Sequence, residues 1–524
     1  MTAPPLTAVE PRVLESLLEG TFVSGSGAGA TLVNPVTGEV IATASSAGLD
    51  LGAALAYARS AGGPALRALT FAQRGERLGA IADVLAAHKP EWYATARANS
   101  GNTDADAAID VDGAIATLKF YARLAKTLGD ATMLREGPAL RLSRDPLFAG
   151  LHVGTSLEGV AIHINAFNFP SWGLWEKAAV ALLSGVPVFA KPATATALLP
   201  ALMVRAVADA GVLPPGALSL LCGPAGDLLA HVANGDAIAF TGSAETGRTV
   251  RFHPRVRDTG VRVNVEADSL NATLLGPDAT AEGPIATFFV REVVREMTVK
   301  AGQKCTAIRR VLVPAGLADT VARSVAHALA ATVVGDPAGD GVTMGPLVSS
   351  DQAAAVHAGI AHLGDETIVV YHGDAPTGGA FVGPTLLQAT GPAANVHEVE
   401  IFGPVATIVP YRDADDAFAL AARAGGSLVA SVFSADPAFL AEAALRLAPW
   451  HGRVLLVDPS IGDAQTGHGL VLPALMHGGP GRAGGGEELG GVRGLRFYHQ
   501  WTAIQGPQPV LDALAARSTD IRGE

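Results

Sequence analysis

The chain has 524 residues, 49% of them apolar and 16% charged, with a formal net charge of −12. That length exceeds what one core fills, so two or three domains are expected, and the apolar share excludes a wholly disordered chain. The acidic balance argues against a general nucleic-acid or anionic-membrane partner, both of which need a basic face, yet leaves room for an anionic cofactor held by local groups.

Taken in chain order, residues 21–43 alternate short β-like runs with turn signals and predict a small hairpin. Residues 51–125 read as long alanine-rich amphipathic helices. From Gly159 the pattern changes to strand 160–165, helix 172–184, strand 187–191, helix 197–210, strand 218–221 and strand 237–241 feeding a helix. It resumes after Leu270 with strand 272–275, helix 285–298, strand 308–313 and helix 316–333. Strands alternating with helices of this length predict parallel sheets with covered faces, an α/β fold, and a second α/β domain starting near residue 268. The glycine-rich run 478–491 is the nearest approach to a low-complexity segment.

Only two cysteines occur, Cys222 and Cys305. They make neither a disulfide framework nor a metal motif and fit a reducing cytoplasm. The opening MTAPPLTAVEPRV lacks the basic and apolar regions of a secretory signal. The charge-free stretch 178–190 is short and broken by Gly185 and Pro187, so no membrane span is expected. Cys222 follows a core-like strand and reads as structural.

Cys305 stands in Gly302-Gln303-Lys304-Cys305-Thr306-Ala307, between a helical run and a strand, with small or polar neighbours that leave room around the sulfur. A lone cysteine is most often a small buried hydrophobe. As a nucleophile it needs access, help with ionisation, an oxyanion partner and a route to product release. Asn168, in Asn165-Ala166-Phe167-Asn168-Phe169-Pro170 beyond a strand, can donate its amide to an oxyanion. Glu266, ending the strand-like Val261–Val265 run, can act as a general base on water. Lys191 ends another strand and can face a ribose or phosphate. Gly242 and Ser243 open a helix whose small residues expose N–H groups suited to a pyrophosphate.

The order and setting of NAFNFP, KPA, TGSAETG, Glu266 before a small residue, GQKC and Glu400-Ile401-Phe402-Gly403-Pro404 resemble the aldehyde dehydrogenase superfamily, over about residues 20–500. The resemblance implies Cys305 as nucleophile, Glu266 as general base and Asn168 as oxyanion donor with the Cys305 N–H. It implies cofactor contacts from Lys191, Thr194, Gly242, Ser243, Glu400 and Phe402, and no metal. It also implies a Rossmann-type NAD(P)-binding domain over 1–138 and 158–267, a catalytic α/β domain over 268–475, and an oligomerisation element over 139–157 and 476–524. A homodimer is expected, tetramers also occurring in the family. The family lacks the G-x-G-x-x-G fingerprint, so Gly25–Gly29 reads as a turn.

Departures from the common family pattern narrow the expectation. Thr194 stands where many NAD-preferring relatives carry an acid, which favours NADP and leaves NAD possible. His477 replaces an aromatic that often closes the aldehyde site; it either touches substrate or is a structural loop histidine. Trp172 and Gly173 begin the helix that lines the family's substrate funnel, and Gly173 widens it. Together with EADSLN and HGGPGRAGGGEELGG, these features resemble a subgroup acting on aldehydes at the far end of an acyl-CoA, in aerobic benzoyl-CoA or phenylacetate breakdown. The absence of a hydratase domain favours a stand-alone enzyme. The competing readings are a general aldehyde dehydrogenase, an acylating one that would not need Glu266, a cysteine hydrolase without nicotinamide, and a non-catalytic protein of the same fold.

Overall fold

The computed structural model describes residues 11–522, so most of the opening segment in which no secretory signal was read lies outside the described residues. A seven-stranded sheet carries the order Arg262–Glu266, Ala237–Thr241, Ala161–Ile164, Val188–Lys191, Leu218–Leu220, Ser16–Leu18, Thr21–Val23. Its first five strands run parallel and the last two antiparallel. Ala161–Ile164 and Val188–Lys191 are almost wholly buried along their length. Such short apolar runs are what a parallel strand covered on both faces requires. Helix Trp172–Leu183 is buried nearly all round and packs on helix Asp104–Leu128, joining the largest core.

A second seven-stranded sheet has the order Thr367–His372, Thr385–Ala389, Val405–Tyr411, Arg310–Pro314, Ala272–Leu275, Ser427–Phe433, His451–Val457. Only its edge strand Thr367–His372 is antiparallel to its neighbour. A smaller five-stranded sheet pairs His499–Pro507 antiparallel along the whole of Phe148–Ser156, with Met133–Arg135, Leu140–Arg141 and Ser518–Asp520 completing it. The fold is therefore mixed α/β, with two mainly parallel sheets, as expected. No helix among the described residues is long and apolar enough to cross a membrane.

The predicted hairpin over 21–43 is divided in the structure. Thr21–Val23 pairs with Ser16–Leu18 on the edge of the first sheet, whereas Ala30–Val33 pairs with Val40–Ala44 in a separate sheet that also takes Arg12–Leu14. Gly25–Gly29 makes the crossing between the two. A Cβ on Gly25 would come 2.2 Å from the Ser45 carbonyl oxygen, so the turn needs glycine for close backbone approach and does not line the cofactor cavity described below.

The topology places a site before any side chain is considered. From Ala161–Ile164 the chain winds outward through Val188–Lys191 to Leu218–Leu220, then returns to the opposite side of Ala161–Ile164 with Ala237–Thr241. The strand order reverses there, and the loops leaving the two strands part to leave a crevice at their carboxyl ends.

Candidate active site

Two cavities meet at Cys305. One, of about 800 Å³, opens at the reversal point and is lined by Lys191, Thr194, Gly242, Ser243, Glu400 and Phe402. The other, of about 270 Å³, is lined by Trp172, Gly173, Leu470, Val471 and His477. Asn168, Glu266 and Cys305 belong to both. Every residue singled out from the sequence thus faces one cavity or both.

The Cys305 loop is held by its carbonyls. Arg309 Nη2 donates to the Gly302 and Lys304 oxygens at 3.0 and 3.2 Å, and its Nη1 to Gly403 O at 2.8 Å. Asn271 Nδ2 donates to Cys305 O at 2.8 Å and Ala307 O at 2.9 Å. Thr306 Oγ1 donates to Gly469 O at 2.9 Å. Lys300, Ala301 and Gly302 enter this loop in left-handed conformation at φ of 53°, 50° and 67°. For two non-glycine residues in succession this is a costly backbone, retained where the surroundings over-determine it. Gly302 also lacks room for a side chain, since a Cβ would lie 2.2 Å from Gly403 O.

Electrostatics around the sulfur are dominated by carboxylates. Burial pushes the Cys305 thiol well up, and Glu266, Glu176 and Glu400 push it in the same direction. The thiol, the Glu266 carboxylate and the His477 imidazole lie within 4.8 Å of one another. Burial alone would raise Glu266, but the His477 charge and hydrogen bond, with help from Lys177, hold it below the usual carboxylate range. His477 Nε2 stands 3.1 Å from Glu266 Oε2. Burial lowers the imidazole, but the Glu266 charge and hydrogen bond outweigh that and raise it, which favours its protonated form. His477 therefore lines the smaller cavity and holds the acid beside the thiol.

On the wider side, Lys191 Nζ donates to Thr194 Oγ1 at 3.4 Å. Ser243 Oγ caps helix Ala244–Phe252 by accepting the Thr246 N–H at 3.2 Å. Asp268 Oδ1 takes the Ala244 N–H at 3.0 Å, so one donor of that helix start is already engaged. Glu400 Oε2 accepts the Ser269 N–H at 2.9 Å, and its Oε1 lies 3.4 Å from Arg309 Nε. Burial raises Glu400 to about 7 against the opposing pull of Arg309 and the Ser269 N–H. Phe402 packs edge-on to Phe167 with ring centres 5.7 Å apart.

The family's sequence profile, "Aldehyde dehydrogenase family", matches residues 22–504. The chain is 52% identical over 477 residues to a 3,4-dehydroadipyl-CoA semialdehyde dehydrogenase of Aromatoleum evansii, covering 89% of this chain and 93% of that protein. It belongs to the aldehyde dehydrogenase family. Over a shorter span, 32% of this chain and 52% of the relative, it is 44% identical to Protein MaoC of Klebsiella aerogenes. Among solved structures, lactaldehyde dehydrogenase of Escherichia coli superposes with a TM-score of 0.83 at 23% identity, covering 94% of this chain and 99% of that one. An NAD+ complex of an aldehyde dehydrogenase from Bacillus cereus gives 0.82 at 24% identity, covering 95% and 97%. At those identities the structural likeness speaks for the fold.

Three groups at this dehydrogenase's site escaped the sequence reading. Lys177, buried on helix Trp172–Leu183, has its ammonium 3.1 Å from both Glu176 Oε1 and Glu488 Oε2. Its signal was present: a Glu-Lys pair inside an otherwise apolar buried helix is out of place unless it is paired. Asp110, fully buried on helix Asp104–Leu128, accepts the Trp172 N–H at 2.7 Å and the Ser171 N–H at 3.3 Å. It seats the start of the helix that carries Trp172 and Gly173. Arg309 left no such trace, since an arginine at a strand start is ordinary and its partners come from distant loops.

Proposed function

We propose that this aldehyde dehydrogenase oxidises a CoA-linked semialdehyde of the 3,4-dehydroadipyl-CoA semialdehyde kind to the carboxylic acid, with NADP as the preferred cofactor and water as the final acyl acceptor. The observation carrying this reading is Cys305 at the junction of a dinucleotide-sized and a substrate-sized cavity, with Glu266 and Asn168 on the same junction. The similarity to the Aromatoleum evansii enzyme supports the substrate; a place in aerobic benzoate breakdown, in the cytoplasm, belongs to the same proposal. A phenylacetate-pathway ring-cleavage semialdehyde or a free aldehyde is the next reading.

The chain's residues fit a dinucleotide. Asn165 and Thr241 line the larger cavity and carry buried side-chain polar atoms without protein partners, which a polar ligand would satisfy. Lys191 and Glu400 would hold ribose hydroxyls, Phe402 would pack beside them, and Gly242 with Ser243 would face the pyrophosphate. Thr194 puts no carboxylate against a 2′-phosphate, which underlies the choice of NADP over NAD. When bound, the dinucleotide supplies the hydride acceptor.

Glu266, in its ionised form, takes the Cys305 proton as the sulfur adds to the aldehyde carbon. Asn168 Nδ2 and the Cys305 N–H stabilise the oxyanion of the resulting thiohemiacetal. Loss of hydride from that carbon leaves a thioester on Cys305. Glu266 gives its proton up to solvent and then accepts one from the water that attacks the thioester; collapse releases the acid, and that proton returns to Cys305 as the thiol leaves. Trp172 and Gly173 shape the approach: a Cβ on Gly173 would meet only the Asn165 Cβ, at 4.0 Å, so that wall has unused room for an acyl chain.

We extend the proposal to the division of the chain into NAD(P)-binding residues 1–138 and 158–267, catalytic residues 268–475, and an oligomerising element of 139–157 and 476–524. Leu147 and Phe148, exposed by 62% and 41%, stand with Leu140, Leu142 and Val510 about the small sheet, an apolar surface suited to a homodimer. Sedimentation at several concentrations tests the dimer. The function is tested by nicotinamide reduction with a CoA semialdehyde and a short free aldehyde, each with NADP and NAD. Preference for NADP and the CoA-linked aldehyde is expected. Activity on the free aldehyde alone removes the substrate assignment, and no reduction with any pair removes the role of Cys305.

A further inference from the structure

We propose that Cys305, Glu266 and His477 form an inhibitory site for a zinc-like divalent cation, in which Cys305 Sγ, a Glu266 oxygen and His477 Nε2 are the three protein ligands. These three are the standard zinc donors, and their donor atoms already lie within 4.8 Å of one another. In a tetrahedral site with metal–ligand bonds of about 2.0–2.3 Å, donor atoms stand about 3.2–3.7 Å apart. Glu266 Oε2 and His477 Nε2 are at 3.1 Å, so only the sulfur must close by side-chain rotation. Three residues remote in the chain meet here, so no sequence spacing announces the site.

Two further observations point to a ligand. Glu266 Oε1 is buried and makes no hydrogen bond of good geometry, on a carboxylate that lines the cavity together with Cys305 and lies beside the sulfur. His477, by contrast with an aromatic ring, brings a nitrogen to the wall, turning a cysteine and an acid into a facial set of three donors. The fourth position faces the substrate cavity, where water or a small anion can reach it. Groups of both signs surround the triad, Glu176 and Glu400 against Lys177, Arg309 and Arg453, so the ligands themselves supply the charge that offsets a dication. On binding, the thiol and the imidazolium give up their protons to solvent and the cation takes both lone pairs, so no oxidant or reductant enters. The metal-bound sulfur cannot add to an aldehyde, and the same ion withdraws Glu266 from water. The occupancy of the site is independent of the substrate; only its inhibitory effect rests on the nucleophile role proposed above.

The test uses the purified full chain with zinc chloride in a metal buffer, and cobalt(II) chloride as the spectroscopic probe. Expected results are EDTA-reversible loss of dehydrogenase activity, zinc protection of Cys305 from alkylation, and a thiolate-to-cobalt absorption band that disappears in Cys305→Ser. Buried Cys222 serves as the internal control for alkylation. His477→Phe should raise the half-protecting zinc concentration by at least the ~10- to 100-fold that loss of a metal site's supporting group costs. His477→Gln, which keeps polarity and is less disruptive of the wall, should shift it in the same direction. Equal zinc protection in the wild type and both variants, or no cobalt–thiolate band, overturns the site. A cobalt band with undiminished activity under saturating zinc keeps the site and overturns the inhibition, and with it the nucleophile assignment.

Discussion

The two cavities that meet at Cys305 share a wall but hold their charged groups differently. Around the smaller one, the substrate side of the proposal, the charges are locked to one another: His477 with Glu266, Lys177 with Glu176 and Glu488, Lys304 with Glu296 at 2.7 Å. Around the larger one, its cofactor side, the contacts are looser: Lys191 meets Thr194 Oγ1 at 3.4 Å and Glu400 meets Arg309 at 3.4 Å. Asn165 and Thr241, which line both cavities, keep buried polar atoms without partners, as does Trp172 Nε1 on the smaller side. An unpaired group gains a hydrogen bond when a ligand satisfies it. On the proposed function, the shared wall and the looser charges favour binding, and the locked charges hold the reacting groups in place.

The sharpest way to break that contrast is at the junction. Glu266→Gln should lower the steady-state rate by about 100- to 10,000-fold. Rapid mixing should still show acyl-enzyme accumulation if the loss falls on thioester hydrolysis. Asn168→Ala should cost about 100- to 1,000-fold in kcat with little change in cofactor affinity. Arg309→Met removes a guanidinium that reaches both Lys304 O and Glu400. It should lower kcat and raise the dinucleotide KM together, by roughly tenfold each if every lost charge-assisted hydrogen bond is worth about 1.5 kcal/mol. A change in only one of the two constants would show that the cavities are not braced together.

Gly173→Leu tests the substrate side alone. It fills the open wall and should raise KM for a CoA semialdehyde several-fold more than for a short aldehyde, while equal losses would detach Gly173 from acyl-chain selection. The smallest expected effect is a pH dependence on the cofactor side. Glu400 is raised to about 7, and only its ionised form accepts two ribose hydroxyls. Dinucleotide KM should therefore fall as pH rises through about 7 and climb as pH drops below it. Glu400→Gln should flatten that limb, and an unchanged limb would assign it to another group.

Much of this was legible in the sequence, and the reasons differ by element. The parallel strands stood out because a buried strand between two helical layers must be a short apolar run, as in Ala237–Thr241. The candidate site residues stood out because they sit at strand ends or in tight loops whose chemistry is unusual there. What stayed hidden depends on distant partners. Arg309 reaches the 302–304 carbonyls and a loop near residue 400, and nothing local marks it. That His477 meets Glu266 is likewise invisible in the sequence, because only the fold brings the two together. The early hairpin was divided because the turn glycines answer to Ser45 and Ala44, contacts no local pattern encodes.

The Thr306–Gly469 hydrogen bond has a consequence for engineering. The segment around Gly469 forms an outer wall of the substrate cavity, and its Cα rests so closely on the Glu296–Lys304 ion pair that a Cβ would fall 2.3 and 2.4 Å from their charged atoms. The wall and the nucleophile loop are thus one mechanical piece. Grafting this segment from a relative to change substrate range would transplant half of a joint, and a graft that keeps turnover will have to carry Glu296, Lys304 and Thr306 with it.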